Sequence, residues 1–462
     1  MDRDLTGIVH EGRITRRRML LGTVGAVGAA ALLAACGGDD DDDAGGSSGT
    51  QGGSEGTSGG GGGGGTVDDA ELLRLLGVEE ASAGKGKTIE IGAVLALTGT
   101  GSFYGTTMSR GLDLAKQHIE ALGGPTFNYT YLDHKSGDAA AGVQAMQELI
   151  SKGITLKFAS YGDNIGSMLT QTIENKVFTL DGGGGTGIFA QGKPYFWGTR
   201  AITPNDTLPG VFRWFKETYP DKKTVGIMGW DGGEENNRVT QEDTLAKIEE
   251  AGLEFNGLYE LVPIGGQDFS QVIPKIKANE PDLLLCGHYG QDPGSFADQA
   301  STAGLNAVRM AFEFTPDGLN ASKGAYDRDG FLFAYDYFDP NSQTSPLARK
   351  FIEGFREEYG EDPDFYAANY YENAFVMWEC MRRIWAKDPE GEINGETMDA
   401  ALQENLTVVS VYGGDESELG SYTLDPTTHS VTKRLMGVFE RKDEKVTPLA
   451  FFNIGGADYR KA

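Results

Sequence analysis

The chain has 462 residues and an acidic balance, 40 Lys and Arg against 68 Asp and Glu, for a formal net charge of −28. That charge argues against electrostatic capture of nucleic acid or of an anionic bilayer surface. About 400 residues follow Thr66, too many for one hydrophobic core and suited to two domains of ordinary size.

The chain opens on an export address. Thr15-Arg16-Arg17-Arg18 leads into an uncharged stretch, 19–35, that ends Leu33-Ala34-Ala35-Cys36. A basic n-region, an apolar run and small residues before a cut site are the parts of a secretory signal, and the arginine pair resembles the twin-arginine type. Gly22, Gly25 and Gly28 break the run, which is short of the ~20 residues a bilayer-spanning helix needs. Leu-Ala-Ala-Cys resembles a bacterial lipobox, which implies a signal over 1–36 and a lipidated Cys36. Residues 37–86 then read as a disordered tether and lead-in. The aspartates at 39–43 and the Gly/Ser/Thr run to Gly65 cannot bury enough apolar surface to offset chain entropy. One acyl chain holds only marginally, so an anchor of this kind needs more than one.

The folded part begins with an almost continuous apolar run, 89–97, as in a strand covered on both faces. Met108, Leu112, Ala115, Ile119 and Leu122 then recur at helical spacing until Gly123-Gly124-Pro125. Strands at 129–132, 156–160 and 177–180 alternate with helices at 139–151 and 170–175. After Pro204 the alternation restarts: helices at 207–217, 239–251 and 269–279, strands at 225–228, 255–261 and 281–286. Pro274 inside the third helical pattern predicts a kink or a first turn. A strand at 331–335, a long amphipathic helix at 367–386 and an antiparallel alternation at 437–453 follow. Strand and helix alternating twice over predicts two doubly wound parallel-sheet α/β lobes.

Ligands of open α/β sheets bind outside the carboxyl ends of the strands. The loops there, 98–105, 161–167, 181–187, 229–237, 287–292 and 313–318, carry Phe103, Tyr104, Tyr161, Asp163, Trp230, Asp231, Tyr289 and Glu313 and almost no basic residue. Such loops suit a polar solute and not a phosphate-rich cofactor. Gly182 to Gly187 contains the dinucleotide spacing of glycines, but no acid follows at the ribose position. Its backbone N–H groups suit a carboxylate instead. The five histidines are scattered, with no nucleophile elbow and no metal motif, so the residues point to no cofactor and no metal. Cys286 and Cys380 read as two buried free thiols.

Ile91-Gly92-Ala93-Val94-Leu95 with Thr98-Gly99, Phe103-Tyr104-Gly105, Arg110-Gly111-Leu112-Asp113-Leu114-Ala115, Leu132-Asp133 and Gly266-Gln267-Asp268-Phe269-Ser270 carry a resemblance. In this order, from about 88 to 438, they resemble the type I periplasmic binding proteins, within them the leucine/isoleucine/valine-binding branch that serves ABC importers. The resemblance implies two lobes joined by a three-crossing hinge that close on the ligand. The crossings fall near 199–203, 335–338 and 420–423, giving 87–200 plus 339–419 as lobe one and 201–338 plus 420–462 as lobe two.

It also implies aromatic walls at Phe103 and Tyr104 and at Tyr289, and an ammonium acceptor at Glu313. Gly183, Gly184, Gly185 and Thr186 fall where the family meets an amino-acid zwitterion. One departure stands out: Asp163, beside Asn164, occupies the place where amino-acid binders present a serine to the ligand carboxylate. Like charges there are costly in a low-dielectric cleft. With Glu313 and Asp231 this favours an amine- or amide-bearing solute, unless Asn164 makes the contact. The expectation is a monomeric, lipid-anchored, non-enzymatic solute receptor working with an ABC permease. The same architecture serving as a sensor for a signalling protein is the alternative.

Overall fold

The structure, a computed structural model, describes residues 68–160, 162–183, 190–200, 203–263, 265–341, 345–412 and 420–462. The expected signal, Cys36 and the glycine-rich part of the tether lie outside the described residues, as do Gly184, Gly185 and Thr186.

Five parallel strands form one sheet: β1 (Thr88–Leu95), β2 (Thr126–Asp133), β3 (Leu156–Ala159), β4 (Phe178–Asp181) and β5 (Phe196–Gly198), in the order β2-β1-β3-β4-β5. The same order recurs in a second sheet. There β6 (Thr224–Trp230), β7 (Glu254–Val262), β8 (Leu283–Gly287), β9 (Val308–Ala311) and β10 (Phe331–Asp336) run parallel as β7-β6-β8-β9-β10. Their apolar runs are covered on both faces: all of β10 and the last five residues of β1 are buried. Beyond β10 the alternation at the end of the chain forms three antiparallel strands, β14 (Leu435–Lys442), β15 (Lys445–Asn453) and β16 (Tyr459–Lys461).

The crossover helices of the first sheet are α2 (Ser102–Ala121), α3 (Ala139–Ser151) and α4 (Gly162–Glu174). Helix α4 starts far earlier than the 170–175 read from sequence, so most of the expected loop 161–167 is helical. Asp163 and Asn164 therefore lie in its first turn. In the second half come α5 (Pro204–Thr218), α6 (Glu234–Glu250), α7 (Ile273–Ala278) and α8 (Asp292–Ala303), then the short α9 (Pro316–Ala321) and α10 (Ala325–Asp329). Helix α7 is shorter than the 269–279 expected, with Pro274 in its first turn, where a missing N–H costs no helical hydrogen bond.

Helices α11 (Pro346–Tyr359), α12 (Phe365–Lys387) and α13 (Gly395–Glu404) return to the first sheet. Helix α12 is buried along most of its 23 residues and crosses α2 backbone to backbone. A Cβ on Gly111 would stand 2.3 Å from the Ala367 carbonyl oxygen, so that crossing requires glycine. Residues 421–433, read as the start of lobe two, instead form β12 (Ser421–Leu424) and β13 (Val431–Lys433), paired in a small sheet with β11 (Thr407–Val409). Ser430 also bridges Gly198 of β5, so the chain passes to the second sheet at Arg434.

The lead-in to residue 86, whose structure the sequence leaves open, is folded from 69. Helix α1 (Asp69–Leu75) buries Leu72, and Lys350 holds Asp69 at 2.7 Å. Arg382 donates to the Leu76 carbonyl at 2.9 Å, and the Trp378 indole to that of Ala83 at 2.9 Å. Three apolar residues in Leu72-Leu73-Leu76 give this stretch enough surface to dock. Cys286 and Cys380 are buried free thiols, both pushed up to about 12 by burial, and inert.

Candidate solute-binding site

Two sheets of the same strand order each place their switch point between the first and third strands, where helices leave to opposite sides and a crevice opens. In the first sheet the loop after β1 leads to Phe103 and Tyr104 in the first turn of α2. Gly105 fixes that turn: a Cβ there would stand 2.0 Å from the Ala96 carbonyl oxygen. Phe103 packs edge-on against Tyr104 at 5.6 Å, and Tyr104 in turn against Tyr366 of α12 at 5.1 Å.

Tyr104 reaches the other sheet. Its hydroxyl donates to Oε1 of Glu313, two residues beyond β9. The Gly290 N–H, in the loop after β8, donates to the same oxygen at 2.5 Å, and the Tyr366 hydroxyl to Oε2 at 2.7 Å. Glu313 is 1% exposed, yet three donors from both halves of the molecule converge on it. Burial pushes its carboxyl up, against the pull of these donors and of the Arg200 charge.

Behind Glu313 runs a chain of buried charges. Arg200 donates to the Tyr366 hydroxyl at 2.9 Å and to Asp336 at 2.6 Å, and lies over the rings of Phe365 and Tyr366. Arg434 stands 3.9 Å from the other oxygen of Asp336 and pairs with Glu372 of α12 at 2.5 Å. Glu372 is also held by the Ser410 hydroxyl at 2.8 Å and the Val411 N–H at 3.1 Å. Arg200, Asp336 and Arg434 stand on the three stretches where the chain passes between the sheets. None was singled out from sequence, because a lone charge after a strand has no local sign of a partner 100 residues away.

At the switch point of the second sheet, Trp230 ends β6 and meets Tyr289 edge-on at 5.3 Å. The Trp230 indole donates to Oδ2 of Asp292 at 2.8 Å, and the Gly265 N–H to the same oxygen at 3.1 Å. Asp292 opens α8 and closes the loop 287–292, but nothing in the sequence sets it apart from its neighbours. Burial pushes its carboxyl to about 6, with Trp230 and Gly265 opposing and the Glu313 charge adding. Burial likewise pushes the Tyr289 hydroxyl to about 12.

The structure thus brings Tyr104, Tyr289 and Glu313 together with Phe103 against them, and it adds Tyr366, Arg200, Trp230 and Asp292. Gly183 lies at the end of β4, its N–H donating to buried Asp181 at 2.8 Å. Asp231 does not join them. It is exposed and turned onto its own loop, accepting from Asn237 at 2.7 Å and from the Gly233 N–H at 3.2 Å. His288 is sealed between Phe269 and Phe296, and burial lowers it to about 3, so it stays a neutral core ring.

Comparison with known proteins agrees with this architecture. Residues 88–440 match the family described as periplasmic binding protein. The Leu/Ile/Val-binding protein homolog 7 of Brucella abortus (strain 2308) is 24% identical over 404 residues, 81% of this chain and 94% of that protein. A leucine-binding protein from Thermotoga maritima MSB8 superimposes with a TM-score of 0.67 at 19% identity, over 79% of this chain and 99% of its own. A solute-binding protein of an R. palustris ABC transporter, in complex with 4-hydroxybenzoate, gives 0.68 at 20% identity, over 80% and 98%. With the family matched over most of the folded chain and the doubly wound pair of sheets shared, the chain belongs to the periplasmic binding proteins of type I and is a solute-binding protein, not an enzyme.

Proposed function

We propose that the chain captures a small polar solute bearing an amine or amide between its two lobes and delivers it to an ABC permease, working as a monomer held to the outer face of the cell membrane through lipidated Cys36. The observation that carries this is the buried Glu313 carboxylate, reached at once by Tyr104 from one sheet and by the loop after β8 from the other. A carboxylate offers about four acceptor positions, and the three donors leave one for a ligand N–H. Structural relatives take an amino acid in one case and a hydroxybenzoate in another. A buried acid at this point favours the amine, since an aromatic carboxylate brought beside it would meet like charge.

In this reading Phe103, Tyr104 and Tyr289 wall the solute, Gly183 to Thr186 and the first turn of α4 with Asp163 and Asn164 meet its other end, and Asp231 stays at the rim. Lobe one takes 87–200 and 339–433, and the third crossing is Arg434 rather than 420–423. Closure turns about the three crossings.

The test is melting of the purified full chain against amino acids, amides, urea-like compounds, polyamines, simple carboxylates and sugars. Ligand at a hundredfold over its dissociation constant adds about 2.7 kcal/mol, a shift of a few degrees. A shift confined to amine- or amide-bearing compounds supports the reading, and a shift with sugars or simple carboxylates alone rejects it. Glu313→Gln should weaken the binding solute by about 2–5 kcal/mol.

A further inference from the structure

Resting on that reading, we infer that Asp292 is a specificity-determining ligand contact, and that the solute carries a second donor group, an ammonium or amide N–H remote from the amine held at Glu313. The two acids beside the cleft are not alike. Glu313 has donors on both oxygens. Asp292 is 1% exposed, and both its donors, the Trp230 indole and the Gly265 N–H, fall on Oδ2. Its Oδ1 is buried and meets no donor among the described residues.

A buried carboxylate oxygen left unpaired costs more than a neutral group would. Its place makes the missing donor a ligand's. Trp230 ends β6 and Asp292 follows β8, so the open oxygen stands at the switch point of the second sheet, where such folds bind ligand. The Trp230 indole that holds the other oxygen of Asp292 meets Tyr289 edge-on, and the Glu313 charge acts on the same carboxyl. A solute lying against Tyr289 with its amine on Glu313 therefore presents its far end to Asp292. An apolar end would bury Oδ1 for good, whereas a cationic or amide end supplies the hydrogen bond and, if charged, the counter-ion.

Two pairs of probes, each pair differing in one terminal amine, test this: L-lysine with L-norleucine, and putrescine with butylamine. Dissociation constants are read by calorimetry on the full chain and on Asp292→Asn, which keeps an acceptor for Trp230 and Gly265. In at least one pair the diamine is expected to bind the wild type at least tenfold tighter than its partner, and Asp292→Asn to erase that ratio. Equal binding of the members of each pair, or a ratio that survives in Asp292→Asn, overturns the inference and leaves the receptor reading standing. If no probe binds either protein, the amine-receptor reading and the inference fall together. Should Asp292→Asn not fold, the wild-type ratio alone decides.

Discussion

The hinge side of the cleft and the switch point of the second sheet use buried charge in opposite ways. From Tyr366 through Arg200, Asp336 and Arg434 to Glu372, each buried charge faces an opposite one, including Asp336 Oδ1, which accepts no hydrogen bond among the described residues but stands 3.9 Å from Arg434, and the chain ties together the three passages between the sheets. At the switch point, Asp292 keeps one oxygen that meets no donor among the described residues. The difference separates charges that set the shape of the cleft from charges that choose what enters it. Mutations of the first kind should therefore read out chiefly in folding, and those of the second in binding, with a pH-dependent share of stability.

The largest effect falls on the hinge. Arg200→Met leaves Asp336 buried with its nearest cation gone, and breaking such a pair typically costs about 3–5 kcal/mol. Urea unfolding should show that loss, and a loss under 1 kcal/mol would mean the network does not hold the crossings. Next is Gly105→Ala. The added methyl meets the Ala96 carbonyl and displaces the turn that carries Tyr104, for about 1–3 kcal/mol of overpacking and a weaker solute affinity. Tyr366→Phe removes a donor from a buried carboxylate, and a loss of about 1–3 kcal/mol is expected in the same unfolding assay.

Asp292→Asn sharpens the comparison through pH. The Asp292 carboxyl moves from the ordinary 3.8 to about 6 on folding. Between those values the unfolded chain is ionised while the folded chain keeps its proton, so stability falls as pH rises from about 4 to about 6. Below and above that window the contribution is flat. The charged group facing it is Glu313, present in both proteins, and Tyr289 stays neutral throughout. The wild type minus Asp292→Asn melting difference should thus fall across that window, and a flat difference would mean that Asp292 is ionised at its ordinary value. The smallest effect belongs to Asp231→Asn: its exposed carboxylate serves its own loop, so melting and affinity should both hold.

Much of the frame was legible in the sequence because it rests on local periodicity. The apolar runs that became β1, β8 and β10 and the helical stripe of α2 needed no knowledge of their partners. The boundaries that moved have local causes too: the small, polar start of α4 lacks an apolar stripe to betray it, and Pro274 delayed α7. Glu313, Tyr104 and Tyr289 came from a family resemblance joined to their place after strands. Arg200, Asp336, Arg434 and Asp292 escaped, since their burial is created by segments far apart in the chain. Residues 421–433 escaped for the same reason: short strands carry no mark of the sheet they will join.

The most direct test is calorimetric titration of the solute that gives the largest melting shift, on the wild type and on Glu313→Gln. Loss of affinity by about thirtyfold or more, with cooperative unfolding retained, is the result expected if the solute's amine closes on this buried carboxylate between the lobes. Equal affinity in the two proteins would contradict it and place the solute elsewhere.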